Sequence, residues 1–328
     1  MRWGVFPSFS AAWIISEESF LKNSELLTYL KARGGYGVTG QQEMGDARFL
    51  YLEPYSLGNS NSQYIFGTVP TNLAVPTFRN VNIKWEETTT ANVGLDFGFF
   101  NNRLTGSVEA FYKKSQNLLS YAAISDGSNF SNAGFQNIGT LSSKGIELTL
   151  NAEIVKTNDF SWNVNFNATK FERRIDELAL GSDILTGNIG GGTGGTIQIH
   201  SQGYTPNSFY VFKQLYDVNG MPIQGAYADL NGDGIVNNSD RYIRYNGDPD
   251  VTFGFASNFN YKNFDFSFNL RASLGNHIYN NINSVSAYYS LIQNNTVLGN
   301  IPTSVLDTNF IQPGSLGTQS DIYIENAS

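Results

Sequence analysis

Long runs of strict apolar/polar alternation constrain this 328-residue chain more than any other feature. Phe160, Trp162, Val164, Phe166 and Ala168 alternate with Ser161, Asn163, Asn165 and Asn167. Phe264, Phe266, Phe268, Leu270, Ala272 and Leu274 alternate with Asp265, Ser267, Asn269, Arg271 and Ser273. On a strand successive side chains change face, so a period of two makes one greasy and one polar surface. Each run has a similar partner just upstream: Ile146 to Ile154 before the turn residues KTND, and Phe253 to Tyr261 before Lys262 and Asn263. A third pair runs from Ala91 to Phe99, turns at Asn101 and Asn102, and returns from Leu104 to Tyr112. Asn tolerates the positive φ of a tight turn, so these are three hairpins. Further strands are expected in RWGVFPSFSAAWII, with Trp3, Val5, Phe9, Ala11 and Trp13 on one face, and in LTYLKARGGYGV. Residues 209–217 and 284–292 are weaker candidates; 114–142 and 171–250, rich in Gly, Ser, Asn and Asp, read as loops.

Alternation alone fits both a soluble β-sandwich, greasy side inward, and a membrane barrel, greasy side toward lipid. Three features favour the barrel. Strands of about 11 residues at ~3.3 Å each, tilted by ~40–45°, span the ~25 Å apolar band of an outer-membrane barrel. Very short turns within hairpins contrast with long links between them, as periplasmic turns contrast with external loops. Aromatic residues gather beside the short turns, at Phe97, Phe99, Phe100, Phe160, Trp162, Phe259, Tyr261, Phe264 and Phe266, where they would form an interfacial girdle. The polar face carries Glu147, Glu153, Asp265, Asn269 and Arg271, which are costly in hydrocarbon and at home in a wet lumen. A large sandwich or solenoid is the alternative.

Composition removes other classes. Formal net charge is -8 with only 20 Lys plus Arg, leaving no basic surface for a phosphate backbone, so nucleic acid is not an expected partner. Without Cys there are no disulfides, thiolate metal sites or Cys nucleophiles. No apolar run approaches the ~18 residues of a spanning helix, and MRWGVFPSF lacks a signal-peptide layout.

The stretches WEETTTANVGLDFGFFNNRLTG (85–106), NIGTLSSKGIEL (137–148), DLNGDGIVNNSDR (229–241) and GDPDVTFGFASNFNYKNFDFSF (247–268) resemble the SusC/RagA-type TonB-dependent outer-membrane transporters. FPSFSAAWIISEESF and LKARGGYGVTGQQ are similar to that family as well. The resemblance implies a barrel of about 22 strands with an N-terminal plug, set in the bacterial outer membrane. It also implies a SusD-like surface lipoprotein as lid and import of oligosaccharides or peptides driven through the TonB complex. The chain departs from the pattern in lacking the plug, the TonB box and the early strands, and in stopping at DIYIENAS. The expected fold is therefore all-β: an antiparallel up-and-down transmembrane β-barrel, partial, with about ten strands, long extracellular loops and short periplasmic turns, in one domain over 1–328. Alternatives are a calcium-stabilised adhesin or glycan-binding module, and a barrel enzyme, for which no Ser/His or paired-carboxylate constellation is visible.

Within the 171–250 loop region, DLNGDGIVNNSD (229–240) has the spacing of a calcium loop. Asp229, Asn231 and Asp233 fall at positions 1, 3 and 5, Gly234 at the turning position 6, the Ile235 carbonyl at 7, Asn237 at 9 and Asp240 at 12. Oxygen ligands at those steps can wrap one Ca²⁺ as a structural ion that stiffens the loop. The competing reading is an Asx-rich turn capping its own backbone. Gly190, Gly192 and Gly195 match G-x-G-x-x-G, but a phosphate cradle needs a strand before and a helix after, and neither is readable. His200 and His277 lack Cys or Glu-x-x-His partners, and Glu86 with Glu87, or Glu17 with Glu18, point to opposite faces of a strand. Tyr204, Phe209, Tyr210, Tyr288 and Tyr289 would suit sugar stacking and packing equally, so no substrate residue is assigned.

Overall fold

The computed structural model describes residues 4–328 apart from 42, 44–50, 53–54, 59–62, 125–130, 132, 179–182, 190–194, 295–296, 313 and 315. Trp3, Gly190 and Gly192 lie outside the described residues. In chain order the strands used below are β1 (Ser8–Ile14), β2 (Leu27–Gln41), β3 (Glu86–Phe99), β4 (Leu104–Ala123), β5 (Ala133–Lys156) and β6 (Phe160–Leu178). They continue with β7 (Ile184–Asn188), β8 (Thr196–His200), β9 (Ser208–Phe212), β10 (Gln214–Tyr216), β11 (Pro222–Tyr227) and β12 (Arg241–Ile243). Last come β13 (Val251–Tyr261) and β14 (Phe264–Leu274).

One antiparallel sheet of eight strands, in the order β1-β2-β3-β4-β5-β6-β13-β14, forms the wall of the fold. The three expected hairpins are β3/β4, β5/β6 and β13/β14. Their short turns share one end of the sheet. Phe100, Asn101 and Asn102 have φ of 56°, 54° and 63°, the positive region that Asn accepts cheaply, and Lys262 does the same at 54°. Lys262 N donates to Asp159 O at 2.9 Å, tying two of these turns together.

The register gathers most apolar side chains on one face of the sheet and most polar ones on the other. Trp13, Ala32, Leu95, Val108, Leu148, Ala168, Phe253 and Ala272 stand opposite one another in a single apolar row. One residue along, Arg33, Gly94, Glu109, Glu147, Thr169, Thr252 and Ser273 form a row on the other face. Burial is inverted relative to a water-soluble sheet. Val93, Phe266 and Ile146 are 64%, 64% and 56% exposed, whereas the side chains of Arg33, Asp96 and Glu109 are sheltered to 30%, 26% and 22%. Phe166, Leu148 and Phe268 share no buried centre, which a sandwich requires. The greasy face is the outer one.

Three expectations are corrected. Residues 114–142, read as a loop, largely continue β4 and β5, strands of 20 and 24 residues. At ~3.3 Å per residue β4 is about 65 Å long, far beyond the ~25 Å apolar band, so it projects well past it. Outside lipid neither face must be greasy, and the alternation disappears. Residues 284–292, read as a strand, lie in helix α1 (Asn281–Ser286), where the Asn280 side chain accepts from Asn283 N, and in a 3₁₀ turn at Tyr289–Leu291. The wall holds eight strands among the described residues.

The 171–250 region is a folded unit instead of an irregular loop. Strands β7-β8-β9-β12 form a second sheet and β10/β11 a hairpin beside it. Here apolar residues turn inward: Ile197, Phe209 and Val211 form a buried cluster against Tyr242, Tyr279 and Ile324. The 277–328 segment closes over it through a buried polar hub. Asp321 accepts from Gln214 N at 2.9 Å and from the Tyr242 hydroxyl at 2.6 Å, and pairs with Arg244. Ser320 Oγ donates to Gln214 Oε1 at 3.1 Å, and Gln214 Nε2 to Ile223 O at 2.7 Å. Burial pushes the Tyr227 and Tyr242 phenols up to about 12, keeping them neutral donors.

Two outcomes check this architecture. Leu148→Arg, on the outer face at mid-sheet, should destabilise the barrel by about 2–4 kcal/mol, whereas Thr149→Lys, one residue along, should be nearly neutral; urea unfolding in lipid vesicles measures both, and equal penalties would reverse the assignment of faces. Asp321→Ala strands the Gln214 amide, the Tyr242 hydroxyl and the Arg244 charge, and should loosen the loop unit by about 3 kcal/mol while leaving the wall intact. Hydrogen exchange should then rise in 208–244 and 318–324 and stay unchanged in β3 to β6.

Candidate functional site

The inner, polar face of the wall carries a network of paired charges at one side and, at the other, amides interspersed with Glu147, Glu153, Asp265 and Arg271. On β2, β3 and β4, Arg33 bridges two carboxylates: Nε donates to Asp96 Oδ1 at 3.1 Å and Nη1 pairs with Glu109 Oε2 at 2.6 Å. Lys31 Nζ stands 3.8 Å from Asp96, and Asn92 Nδ2 donates to Glu109 Oε1 at 2.8 Å. Two cations thus meet two carboxylates in a part-sheltered network, where local pairing offsets the cost of leaving bulk water. On β5, β6, β13 and β14 the same face is dominated by amides. Asn151 stands opposite Asn165, which donates to it, and Asn163 stands opposite Asn258.

Above this wall lies a cleft of about 540 Å³ between β4, β5, β6 and the segment leading into β13. Its floor is a cross-strand triplet: Phe111 and Phe171 stand on either side of Gly145 in register. A Cβ on Gly145 would approach both Lys170 O and the Phe111 ring to 2.7 Å, so only glycine leaves this floor open. Arg173 closes one side, with Nε donating to Asp248 Oδ2 at 2.7 Å and Nη2 bonded to the other carboxylate oxygen. Thr205 Oγ1 donates to Arg173 O at 3.1 Å, and Asp248 N donates to Asn246 Oδ1 at 2.9 Å. Sequence reasoning missed this cleft. Its signal was present in two aromatic residues, Phe111 and Phe171, standing on the polar face of strands whose other rings point outward.

The 229–240 loop folds back on itself through its own side chains. Gly234 sits at φ 83°, the turning position, and Gly232 at 76°. Asp229 accepts from Gly232 N at 2.7 Å and Gly234 N at 2.8 Å, Asn231 from Asp233 N at 2.9 Å, and Asp233 from Ile235 N at 2.8 Å. Asp240, fully buried, accepts from Leu230 N and Asn237 N at 2.9 and 2.8 Å and completes a capping box with Asn237. These backbone bonds, that from Asn237 foremost, hold the Asp240 carboxyl below its usual range. The Ile235 carbonyl accepts from Asn237 Nδ2 at 3.2 Å. Among the described residues no group of three or more His, Cys, Asp and Glu side chains is gathered as a metal cage. The loop is self-capped as it stands, and its carboxylates retain further lone pairs.

Remaining candidates resolve into structure. Gly195 is followed by strand β8 instead of a helix, which removes the phosphate cradle. His200 Nε2 shares a 2.8 Å hydrogen bond with Asn207 Oδ1, and His277 stacks on Tyr245 at 3.9 Å. Glu86 accepts from Leu119 N at 2.8 Å, and Glu18 from the Trp13 indole at 2.9 Å. Phe209 and Tyr288 are buried packing residues, 3% and 1% exposed.

Comparison with known proteins places the wall in a family. A family profile, TonB dependent receptor-like, beta-barrel, matches residues 2–198. TonB-dependent receptor SusC of Bacteroides thetaiotaomicron is 41% identical over 334 residues, covering 100% of this chain and 33% of SusC. TonB-dependent receptor P3 of Formosa agariphila is 32% identical over 297 residues, covering 85% of this chain and 29% of that protein. The solved RagAB peptide transporter superposes with a TM-score of 0.75 at 20% identity, covering 98% of this chain and 35% of that one. The chain therefore spans about a third of the length of these relatives. With a continuous outward apolar band, a sheltered polar wall and these relatives, the chain belongs to the TonB-dependent receptors of SusC/RagA type and forms part of an outer-membrane β-barrel.

Proposed function

We propose that this chain is part of the wall of a receptor that imports oligomeric nutrients, oligosaccharides or peptides, across the outer membrane with energy supplied through TonB. The observation that carries the reading is the sheltered, polar inner face, lined by paired charges and amides, behind an outer face with a broad apolar band. Such a wall separates a wet lumen from lipid. The folded unit over 184–243, clamped by the 277–328 segment, gives the extracellular end a rigid surface suited to a SusD-like lipoprotein lid. The plug through which TonB would act belongs to the remaining length of such receptors.

In the organism that carries the full receptor, deleting its gene should abolish uptake of fluorescent oligomers too large for porins. A protonophore should abolish the same uptake in the wild type, since the coupling is to the proton-motive force. Uptake that survives either treatment would end the import reading.

The 229–240 loop is proposed to take one Ca²⁺ through Asp229, Asn231, Asp233, the Ile235 carbonyl, Asn237 and Asp240, stiffening the extracellular unit. Ile235 O would exchange its Asn237 partner for the ion. Millimolar Ca²⁺ should slow proteolysis within 229–240 in the purified receptor, and EGTA or Asp229→Ala should remove the protection; identical digestion with and without calcium refutes it. Because the Asp240 pKa is lowered in the fold, its contribution is present above the ordinary carboxylate pKa and lost as pH falls through the depressed value. Calcium protection should therefore persist at pH 5 and fade only in stronger acid.

A further inference from the structure

The lipid-facing side of the wall changes character abruptly on three neighbouring strands. Upward from the short turns, the outward positions are uncharged and mainly apolar from Leu104 to Tyr112 on β4, from Ile154 to Ile146 on β5 and from Phe160 to Ala168 on β6. The next outward position is a lysine in every case: Lys114, Lys144 and Lys170. At ~3.3 Å per residue and ~40° tilt, each lies about 25 Å above the lowest outward residue of its strand, at the top of the apolar band. Short turns mark the periplasmic end, so this is the outer-leaflet edge, where a cation costs little. We propose that Lys114, Lys144 and Lys170 form a binding site for the phosphate headgroup of an outer-leaflet lipid. The site needs the membrane orientation of the wall and does not depend on import.

Register brings the three together. Lys144 stands opposite Tyr112 and Lys170 opposite Ile146, so each lysine is the diagonal neighbour of the next, about 7–8 Å away between backbones. Their flexible stems let three ammonium groups reach one phosphate. Arg174, two outward positions above Lys170, adds a fourth cation. Lys144 Nζ lies 3.2 Å from Glu172, but both side chains are largely exposed and such a pair is weak. The bulge residue Asp176 accepts from Ser142 Oγ at 2.9 Å. Lys114, Lys170 and Arg174 have no ion pair among the described residues, which leaves this face cationic in a chain of net charge -8.

The band edge by itself does not demand lysine. In register with these residues, the flanking strands carry Thr89, Val251 and Leu274. Tyr36 and Tyr112, 50% and 46% exposed, stand one outward position below Lys114, as amphipathic rings do at headgroup level. Beside them an apolar trough passes over Ala11, Gly34, Ala91 and Ala110 and leaves room for an acyl chain next to the cations. A phosphorylated lipid satisfies both the charge and the trough. A second copy of the chain does not, because a two-fold interface centred here sets like charges face to face.

The test is native mass spectrometry of the purified full-length receptor in detergent. The probes are monophosphoryl lipid A, its dephosphorylated form and inorganic phosphate. The phosphorylated lipid should bind at least about tenfold more tightly than the dephosphorylated one, and millimolar inorganic phosphate should not displace it. Each of Lys114→Gln, Lys144→Gln and Lys170→Gln should weaken binding about fivefold, and the triple variant about a hundredfold. The triple Lys→Arg variant should bind like the wild type, which separates lost charge from lost fold. Lys113→Gln removes the same charge from the opposite face of β4, where Lys113 lies over the Phe111 ring, and should change nothing. Equal binding of the two lipids, unchanged affinity in the triple Gln variant, or an equal loss in Lys113→Gln would overturn the proposal. Displacement by inorganic phosphate would make the occupant a free anion and overturn the lipid assignment. A change of oligomeric state in the triple Gln variant with lipid binding unchanged would give this face to a second copy instead.

Discussion

The structure depends on one constraint: in hydrocarbon every backbone N–H and C=O must find its partner within the protein. An antiparallel ladder satisfies them strand by strand, and its strict period of two then decides where each side chain goes. Once lipid is the solvent on one side, that side must be apolar, and the row from Trp13 to Ala272 follows as a consequence of register. Charges collect on the opposite side because water and partners are available only there. The inverted burial is the same hydrophobic effect that builds a soluble core, acting with the solvent exchanged.

The exchange is local, and the chain contains both rules. Ile146, on the lower part of β5, is 56% exposed; Ile138, higher on the same strand, is 4% exposed, and Ile175 on β6 is 5% exposed. Residue type and strand are the same for the first two, so the environment makes the difference. Above the apolar band water returns and greasy side chains turn inward, giving the extracellular unit its own cluster at Ile197, Phe209 and Val211. The long strands β4, β5 and β6 carry the fold from one regime to the other, and the cleft, which Ile146 itself lines, lies where they change over.

This division explains what could be read from the residues alone. Between Ala91 and Tyr112, or Phe264 and Leu274, lipid demands alternation and the strands are plain. In 114–142, Ser115, Gln116, Ser120, Gln136 and Ser142 populate strands that need no greasy face, so local pattern is silent about pairing. The hub of the extracellular unit is also invisible locally, because Gln214 and Asp321 are 107 residues apart. In 284–292 no steady period marks the structure, and Asn280 caps a helix at its start. The turns of 229–240 are local, set within twelve residues down to the positive φ of Gly234, and Asx side chains capping their own backbone account for them. The cleft was not legible, since Phe111 and Phe171 acquire meaning only when register sets them around Gly145.

Charge placement also answers why the sheet has one register. A one-residue slip of β2 would carry Lys31 and Arg33 to the lipid side and leave Asp96 and Glu109 without their partners. At roughly 2–4 kcal/mol for each cation near mid-membrane, the slip costs about 4–8 kcal/mol before the abandoned carboxylates are counted. That is comparable with the whole stability of an ordinary domain, about 5–15 kcal/mol. On the amide-rich half Glu147, Glu153, Asp265 and Arg271 give the same guard, and outer aromatics add to it: Trp162 stacks on Phe259 at 5.3 Å while its indole N–H donates to Ser257 at 2.9 Å. Inward charges and locked outer rings together hold the inner face in a single arrangement.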